Sequence, residues 1–187
     1  VSVIGLSGLK GCGKDTAAQP LIEDGWTRLG FADPLREMLY TLNPILSDTE
    51  GRGTLRWQTY LDALGYDEAK KNPEVRRLMQ VLATEVIREQ FDQEAWVNLA
   101  SRKIQSTLDN YVMTDVRFDN EAKMIHDVGG FVIRIEREGL TADGHASERG
   151  ISEDLVDAVI FNDGPVESLH AQMRGAAKVL GSVRRAS

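Results

Sequence analysis

Apolar residues in this chain come in short blocks separated by polar stretches of helical spacing. Residues 1–6, VSVIGL, form a β-branched run that stops at Ser7-Gly8, the pattern of a buried strand entering a turn. Residues 14–23 read as a helix that Pro20 is expected to end or kink early. A second strand over 26–31 leads to a helix from Pro34, with Asp33 as its N-cap. The rhythm then breaks, because residues 43–72 are polar, contain Gly51, Gly53 and Gly65, and fit neither strand alternation nor one long amphipathic helix. This stretch reads as an insertion.

Beyond Pro73 the apolar positions Val75, Leu78, Met79, Leu82 and Val86 repeat at three and four and line one helical face, while Gln80, Thr84 and Arg88 share another. A helix over 93–108 precedes a strand over 111–115, and a helix over 118–128 is closed by Gly129-Gly130 before the strand 131–135. Residues 136–154 are charged and loop-like, a solvated connection or a lid. A last strand over 156–161 and a helix over 165–180 complete the pattern. Five short strands separated by helices predict an α/β fold, a parallel sheet covered on both faces with right-handed crossovers.

The length of 187 residues suits one compact domain with an inserted subdomain. No apolar run approaches the roughly 18 residues of a membrane helix, and the first residues lack the basic start of a secretory signal. A cytoplasmic address is the expectation. With Cys12 as the single cysteine, neither an intrachain disulfide nor a four-cysteine zinc site can form. The formal charge of −7 argues against a nucleic-acid polymer as general partner.

The most informative segment is Gly8-Leu-Lys-Gly-Cys-Gly-Lys-Asp-Thr16, a G-x-x-x-x-G-K loop placed after a strand and before a helix. Such a loop turns successive N–H groups inward and adds the positive end of the helix, which together cradle polyphosphate. Gly11, Cys12, Gly13, Lys14, Asp15 and Thr16 are therefore the candidate nucleotide-binding residues, with Lys14 reaching the β and γ phosphates and Lys10 a further cation. The hydroxyl that usually follows the lysine is displaced by one position, since Asp15 stands there and Thr16 comes next. Which of these two touches the metal stays open. His145 with Ser147 lacks the G-x-S-x-G elbow of a hydrolase and is not read as a catalytic pair.

Four blocks together resemble the viral, bacteriophage-type deoxynucleoside monophosphate kinases of the P-loop nucleoside monophosphate kinase superfamily. They are GLSGLKGCGKDT, LGFADPLREML at 29–39, LMQVLATEVIREQFDQEAWV at 78–97 and MTDVRFDNEAKMIHDVGGFVIRIER at 113–137. The family's usual G-T-E reads Ala83-Thr84-Glu85 here. The resemblance implies a P-loop NTPase fold with strand order 2-3-1-4-5, an acceptor-binding insertion around 34–95 and a lid around 136–150. It implies transfer of the γ-phosphoryl group of ATP, carried with Mg2+, to a deoxynucleoside monophosphate (dNMP).

On that reading Lys14, Arg117 and Arg137 are the catalytic candidates. Asp33, Arg36, Gln80, Thr84, Arg88, Trp96, Asp115 and Arg117 are candidates for holding the acceptor, and Trp57 is a second stacking candidate. Asp15, Thr16 and Asp115 are the candidates for contact with magnesium, Asp115 being equally suited to the deoxyribose. Arg134, Arg137 and Arg149 flank the expected lid. Asn162-Asp163-Gly164 resembles the turn beside the donor's adenine, and Asn120 and Glu121 are read as the start of a helix. Other readings are a P-loop kinase of the dephospho-coenzyme A or phosphomevalonate type, or a nucleotide-dependent switch. The sequence leaves oligomeric state open, a homodimer included, together with the preferred base.

Overall fold

The computed structural model describes residues 1–47, 53–140 and 150–183, the last three of these for their backbone alone. The expected lid at 136–150 therefore lies largely outside the described residues, and so do His145, Ser147 and Arg149. The chain runs β1 (Val3–Ser7), α1 (Lys14–Glu23), β2 (Thr27–Leu29), α2 (Asp33–Leu42), β3 (Ile45–Leu46) and β4 (Leu55–Arg56). It continues α3 (Trp57–Leu64), α4 (Tyr66–Ala69), α5 (Pro73–Gln80), a π-helical segment Val81–Arg88 and α6 (Ala95–Gln105). Then come β5 (Tyr111–Met113), α7 (Asp119–Asp127), β6 (Phe131–Glu136), a 3-10 turn Glu153–Leu155, β7 (Ala158–Phe161) and α8 (Val166–Val183). Two compact units result, one of Val1–Phe31 with Val97–Ser187 and one of Ala32–Trp96.

The first unit is built on a five-stranded sheet in the order β2-β5-β1-β6-β7, parallel at every pairing. Counted within this sheet, that is the expected order 2-3-1-4-5. All five residues of β1 are buried, because a central parallel strand has no solvent face. Its alternate residues serve opposite layers. Ile4 and Leu6 join Val112, Ile133, Ile135 and Ile160 against Ala17, Ala18 and Leu21 of α1 and Leu169 and Met173 of α8. Each fully buried Val, Leu, Ile or Met side chain among these contributes about 1.5–3 kcal/mol. Gly5 faces the other way, where a Cβ would collide with Ile125 of α7 and stand 2.9 Å from Val116, so a glycine is what lets α7 approach.

Pro20 neither ends nor shortens α1, contrary to expectation, and sits buried inside it. A proline in a helix leaves the carbonyl four residues earlier without its usual donor. Here that acceptor is Thr16 O, and Nε2 of His170 on α8 lies 3.1 Å from it and donates in the tautomer that carries its hydrogen there. A side chain of the helix's packing partner thus stands where the missing donor would be. Asp33 is also not the N-cap of α2, whose cap is Ala32 with Asp33 as the first helical residue.

At the start of α7, the carboxylate of Glu121 accepts the N–H groups of Arg117 at 2.8 Å and Phe118 at 3.2 Å while itself 2% exposed. This is the back-reaching half of a capping box, and it fixes the chain just after the end of β5. Two further bonds tie α7 to the segment before β7. Ser152 donates its hydroxyl to Asp119 at 2.7 Å and its N–H at 2.8 Å, which holds the Asp119 carboxyl below its ordinary range.

The second unit resolves the stretch that has no periodicity. β3 and β4 form a short antiparallel pair, and α3, α4 and α5 follow. Leu35, Leu39, Leu46, Trp57, Tyr60, Ala69 and Val75 are buried in it. The buried Asn72 caps α5 through Oδ1, which accepts from Glu74 N at 2.8 Å, and its amide donates to Tyr60 Oη at 3.3 Å. The helix predicted beyond Pro73 changes character at Val81, where π-type spacing replaces α. A π segment takes an extra residue per turn, a form often found at functional sites.

Replacing Glu121 by Ala leaves two main-chain donors without their acceptor at a buried position. We expect a loss of about 1–3 kcal/mol in unfolding free energy, measured by urea titration, with an unchanged m-value.

Candidate functional site

The loop between β1 and α1 has a shape that its glycines permit. Gly8, Gly11 and Gly13 have φ of 131°, 83° and 101°, a region that side chains avoid. A Cβ at Gly8 would strike the carbonyl oxygen of Ile135, and one at Gly13 would stand 2.5 Å from Asn162 Nδ2. The loop is therefore pressed against the ends of β6 and β7 at two points. Asn162 also holds it directly, donating from Nδ2 to Cys12 O at 2.9 Å.

Lys14, the first residue of α1, folds back over this loop. Its Nζ donates to Gly8 O at 2.7 Å and Leu9 O at 2.9 Å, and lies 3.7 Å from Cys12 Sγ. Neutral carbonyls are weaker partners for an ammonium than phosphate oxygens, so an arriving anion can exchange for them. The loop opens on a cleft of about 400 Å³ lined by Gly11, Gly13, Lys14, Asp15, Thr16 and Arg137, together with Asn162, Gly164 and Val166. Candidates drawn from three separate parts of the sequence thus meet at one place, the carboxyl end of the sheet.

Asp15, which stands where a hydroxyl is usual, accepts the hydroxyl proton of Thr114 on Oδ1 at 2.7 Å. Thr114 is buried, and it was not among the residues the sequence singled out. The signal was present in the block MTDVR, beside the acid that drew attention. Thr16 is exposed at the cleft, as is Asp15. Among the described residues no group of three or more His, Cys, Asp and Glu side chains is placed to hold a metal.

Asp115 follows β5 and accepts the Phe31 N–H on Oδ1 at 3.1 Å, while Arg117 is exposed. Neither lines the cleft. Asp163 receives the N–H of Glu138 on Oδ1 at 2.9 Å. Arg134 is paired with Glu153 at 2.6 Å. Lys10 is exposed.

The remaining acceptor candidates belong to the second unit. Arg36 pairs with Asp33 at 3.3 Å and lies 4.0 Å above the ring of Tyr66, a residue the sequence reading passed over. Gln80 and Thr84 are exposed and Arg88 is half-buried. Trp96 is buried and donates from Nε1 to Ala83 O at 3.1 Å, and Trp57 is fully buried, so both rings are packed rather than presented.

A family model described as "Deoxynucleotide monophosphate kinase" matches residues 66–173. A relative from Acanthamoeba polyphaga mimivirus, named "Putative deoxynucleotide monophosphate kinase", is 31% identical over 195 residues, covering 91% of this chain and 93% of its own length. The chain belongs to the deoxynucleotide monophosphate kinase family. The matched region lies wholly after the phosphate loop, so membership does not rest on that widespread motif. The deoxynucleotide monophosphate kinase of Enterobacteria phage T4 is 38% identical over 111 residues, 57% of this chain and 46% of its own. That of Escherichia phage RB69 is 36% identical over 141 residues, 69% of this chain and 56% of its own. The matches therefore span about half the length of the two phage relatives. Among solved structures, a dephospho-CoA kinase from Campylobacter jejuni superposes with a TM-score of 0.49 at 11% identity, over 98% of this chain and 100% of its own.

Cys12 is the one thiol in the loop, and it is 1% exposed. In the folded protein we expect slow reaction with a colorimetric thiol reagent and full reaction in denaturant. Bound ATP should slow it further, and equal rates with and without nucleotide would show that the loop does not close on the ligand.

Proposed function

We propose that this chain transfers the γ-phosphoryl group of ATP to the 5′ phosphate of a dNMP, giving dNDP and ADP. The observation that carries the reading is a cleft lined together by Gly11, Gly13, Lys14 and Arg137, in a chain of this family. A phosphate oxygen of the acceptor attacks the γ phosphorus, and the bond to the β–γ bridging oxygen breaks with its electrons leaving on ADP. Two anions must be brought in line, so charge neutralisation, orientation and exclusion of water provide most of the acceleration.

The chain's residues divide this work. The loop amides and the start of α1 take the β and γ phosphates, and Lys14 gives up its carbonyl partners to follow them. Arg137 offsets charge developing on the transferring group, and Arg117 serves the acceptor side with Asp115. Asp33, Arg36, Gln80, Thr84 and Arg88 form the acceptor pocket of the second unit. Trp96 and Trp57 support it from behind rather than stack on the base. The backbone of the Asn162-Asp163 turn belongs to the donor side, while the Asp163 carboxylate is taken up by the Glu138 N–H.

The donor set suits a magnesium ion carried mainly by nucleotide phosphate, since Mg2+ keeps several waters and needs only one or two protein oxygens. On this reading Thr16 and Asp15 would supply them, and the bond from Thr114 to Asp15 Oδ1 supports the choice. When bound, the ion would neutralise charge on the β and γ oxygens. No described helix is long and apolar enough to cross a membrane, and we read the site of action as the cytoplasm of the host cell.

The test is incubation with Mg-ATP and each of dAMP, dCMP, dGMP and dTMP, with dephospho-coenzyme A and phosphomevalonate as alternative acceptors. We expect a dNDP from at least one deoxynucleotide and nothing from the alternatives. Turnover only with another acceptor, or slow ATP hydrolysis that no acceptor stimulates, would sink the reading. Lys14→Ala should lower kcat by about 10²-fold or more, and Arg88→Ala should raise the acceptor KM with kcat nearly unchanged.

A further inference from the structure

The turn after β7 holds two catalytic segments at once. The N–H of Asn162 donates to Glu136 O at 2.7 Å, the last rung of the parallel β6–β7 pairing, while its side-chain amide holds Cys12 O in the phosphate loop at 2.9 Å. The next residue, Asp163, receives the Glu138 N–H on Oδ1 at 2.9 Å. In a parallel pair the rungs alternate regularly along the strand. After the rung at Glu136, the next donor on the β6 side is the Glu138 N–H, and its regular acceptor would be the Asn162 carbonyl. The Asp163 carboxylate takes that acceptor's place. The chain after β7 can therefore turn away into α8 while the chain leaving β6 stays in register for two more residues.

The residue between those two anchored positions is Arg137. Its side chain is long and exposed and lines the phosphate cleft, so the fixed point from which it reaches is its own backbone. We propose that Asp163 is a positioning residue for Arg137, setting where the guanidinium stands relative to Lys14 through the Glu138 N–H and the shared Asn162 turn. This goes beyond the donor-side placement given above and rests on reading Arg137 as the cation of the transfer step. Removing the carboxylate frees Glu138 and lets the arginine's base drift while Asn162 still holds the loop. The effect therefore falls on the chemical step and not on ATP binding.

The experiment is steady-state kinetics on wild type, Asp163→Ala, Asp163→Asn, Arg137→Ala and the Asp163→Ala/Arg137→Ala double variant, with melting curves for each. We expect Asp163→Ala to lower kcat by about 10- to 100-fold, the scale of a misplacement near 1 Å, with the KM for ATP unchanged. Asp163→Asn should recover most of the rate, because its amide oxygen accepts the same N–H. In the Arg137→Ala background, Asp163→Ala should cost nothing further. Equal losses in both backgrounds would overturn the proposal, as would a raised KM for ATP with kcat intact, or an Arg137→Ala variant as active as wild type. Should Asp163→Ala fail to fold, amide exchange on the wild type decides, since an unprotected Glu138 N–H is incompatible with the clamp. A wild type that makes no dNDP overturns the kinase reading and this proposal with it. An active wild type with additive losses overturns this proposal alone.

Discussion

A loop curled tightly enough to receive an anion has no room for a Cβ at the two points where it presses on its neighbours, Gly8 and Gly13, and that crowding organises the first unit. At Gly8 the obstacle is the carbonyl of Ile135, on the neighbouring strand β6, and at Gly13 it is the amide of Asn162, just past β7. The loop is therefore shaped by the two strands on one side of β1 and not by its own sequence alone. Parallel pairing brings the ends of β1, β6 and β7 to one edge, which is why residues from three distant stretches meet around Lys14. The sheet order is in this sense a precondition for the chemistry.

The polar side chains around that edge mostly replace a missing main-chain partner. Thr114 occupies Asp15, Asn162 occupies the Cys12 carbonyl, Glu121 takes two N–H groups, and Asp115 takes the N–H of Phe31. Each of these bonds contributes modestly in water-exposed settings and more where burial makes an unpaired group costly. Their shared effect is rigidity at the places where the chain leaves a strand. A phosphoryl-transfer site gains more from such fixed framing than from any single strong contact, because its catalysis depends on alignment.

Much of this was legible in the residues. The strands were visible because a doubly covered sheet demands runs such as VSVIGL and FVIRI, and the phosphate loop because its glycines and lysine serve one geometry. What escaped is of two kinds. Thr114, Tyr66 and the side-chain bonds of Asp163 depend on neighbours far away in the chain, which no local pattern encodes. Within the unit from Ala32 to Trp96 the elements between 43 and 72 went unassigned because they are short, and the π segment shifts the helical period at Val81. Pro20 misled for a related reason: local rules price the missing bond, and the structure supplies it from α8.

That last arrangement ties together two positions whose histories would otherwise be separate. Thr16 O and the His170 ring are 154 residues apart, yet the carbonyl is open to the imidazole because an imino acid stands at position 20. A lineage that exchanged Pro20 for an ordinary helix former would release position 170 from selection. One that lost the imidazole first would leave a gap in the ladder of the helix that begins with Lys14.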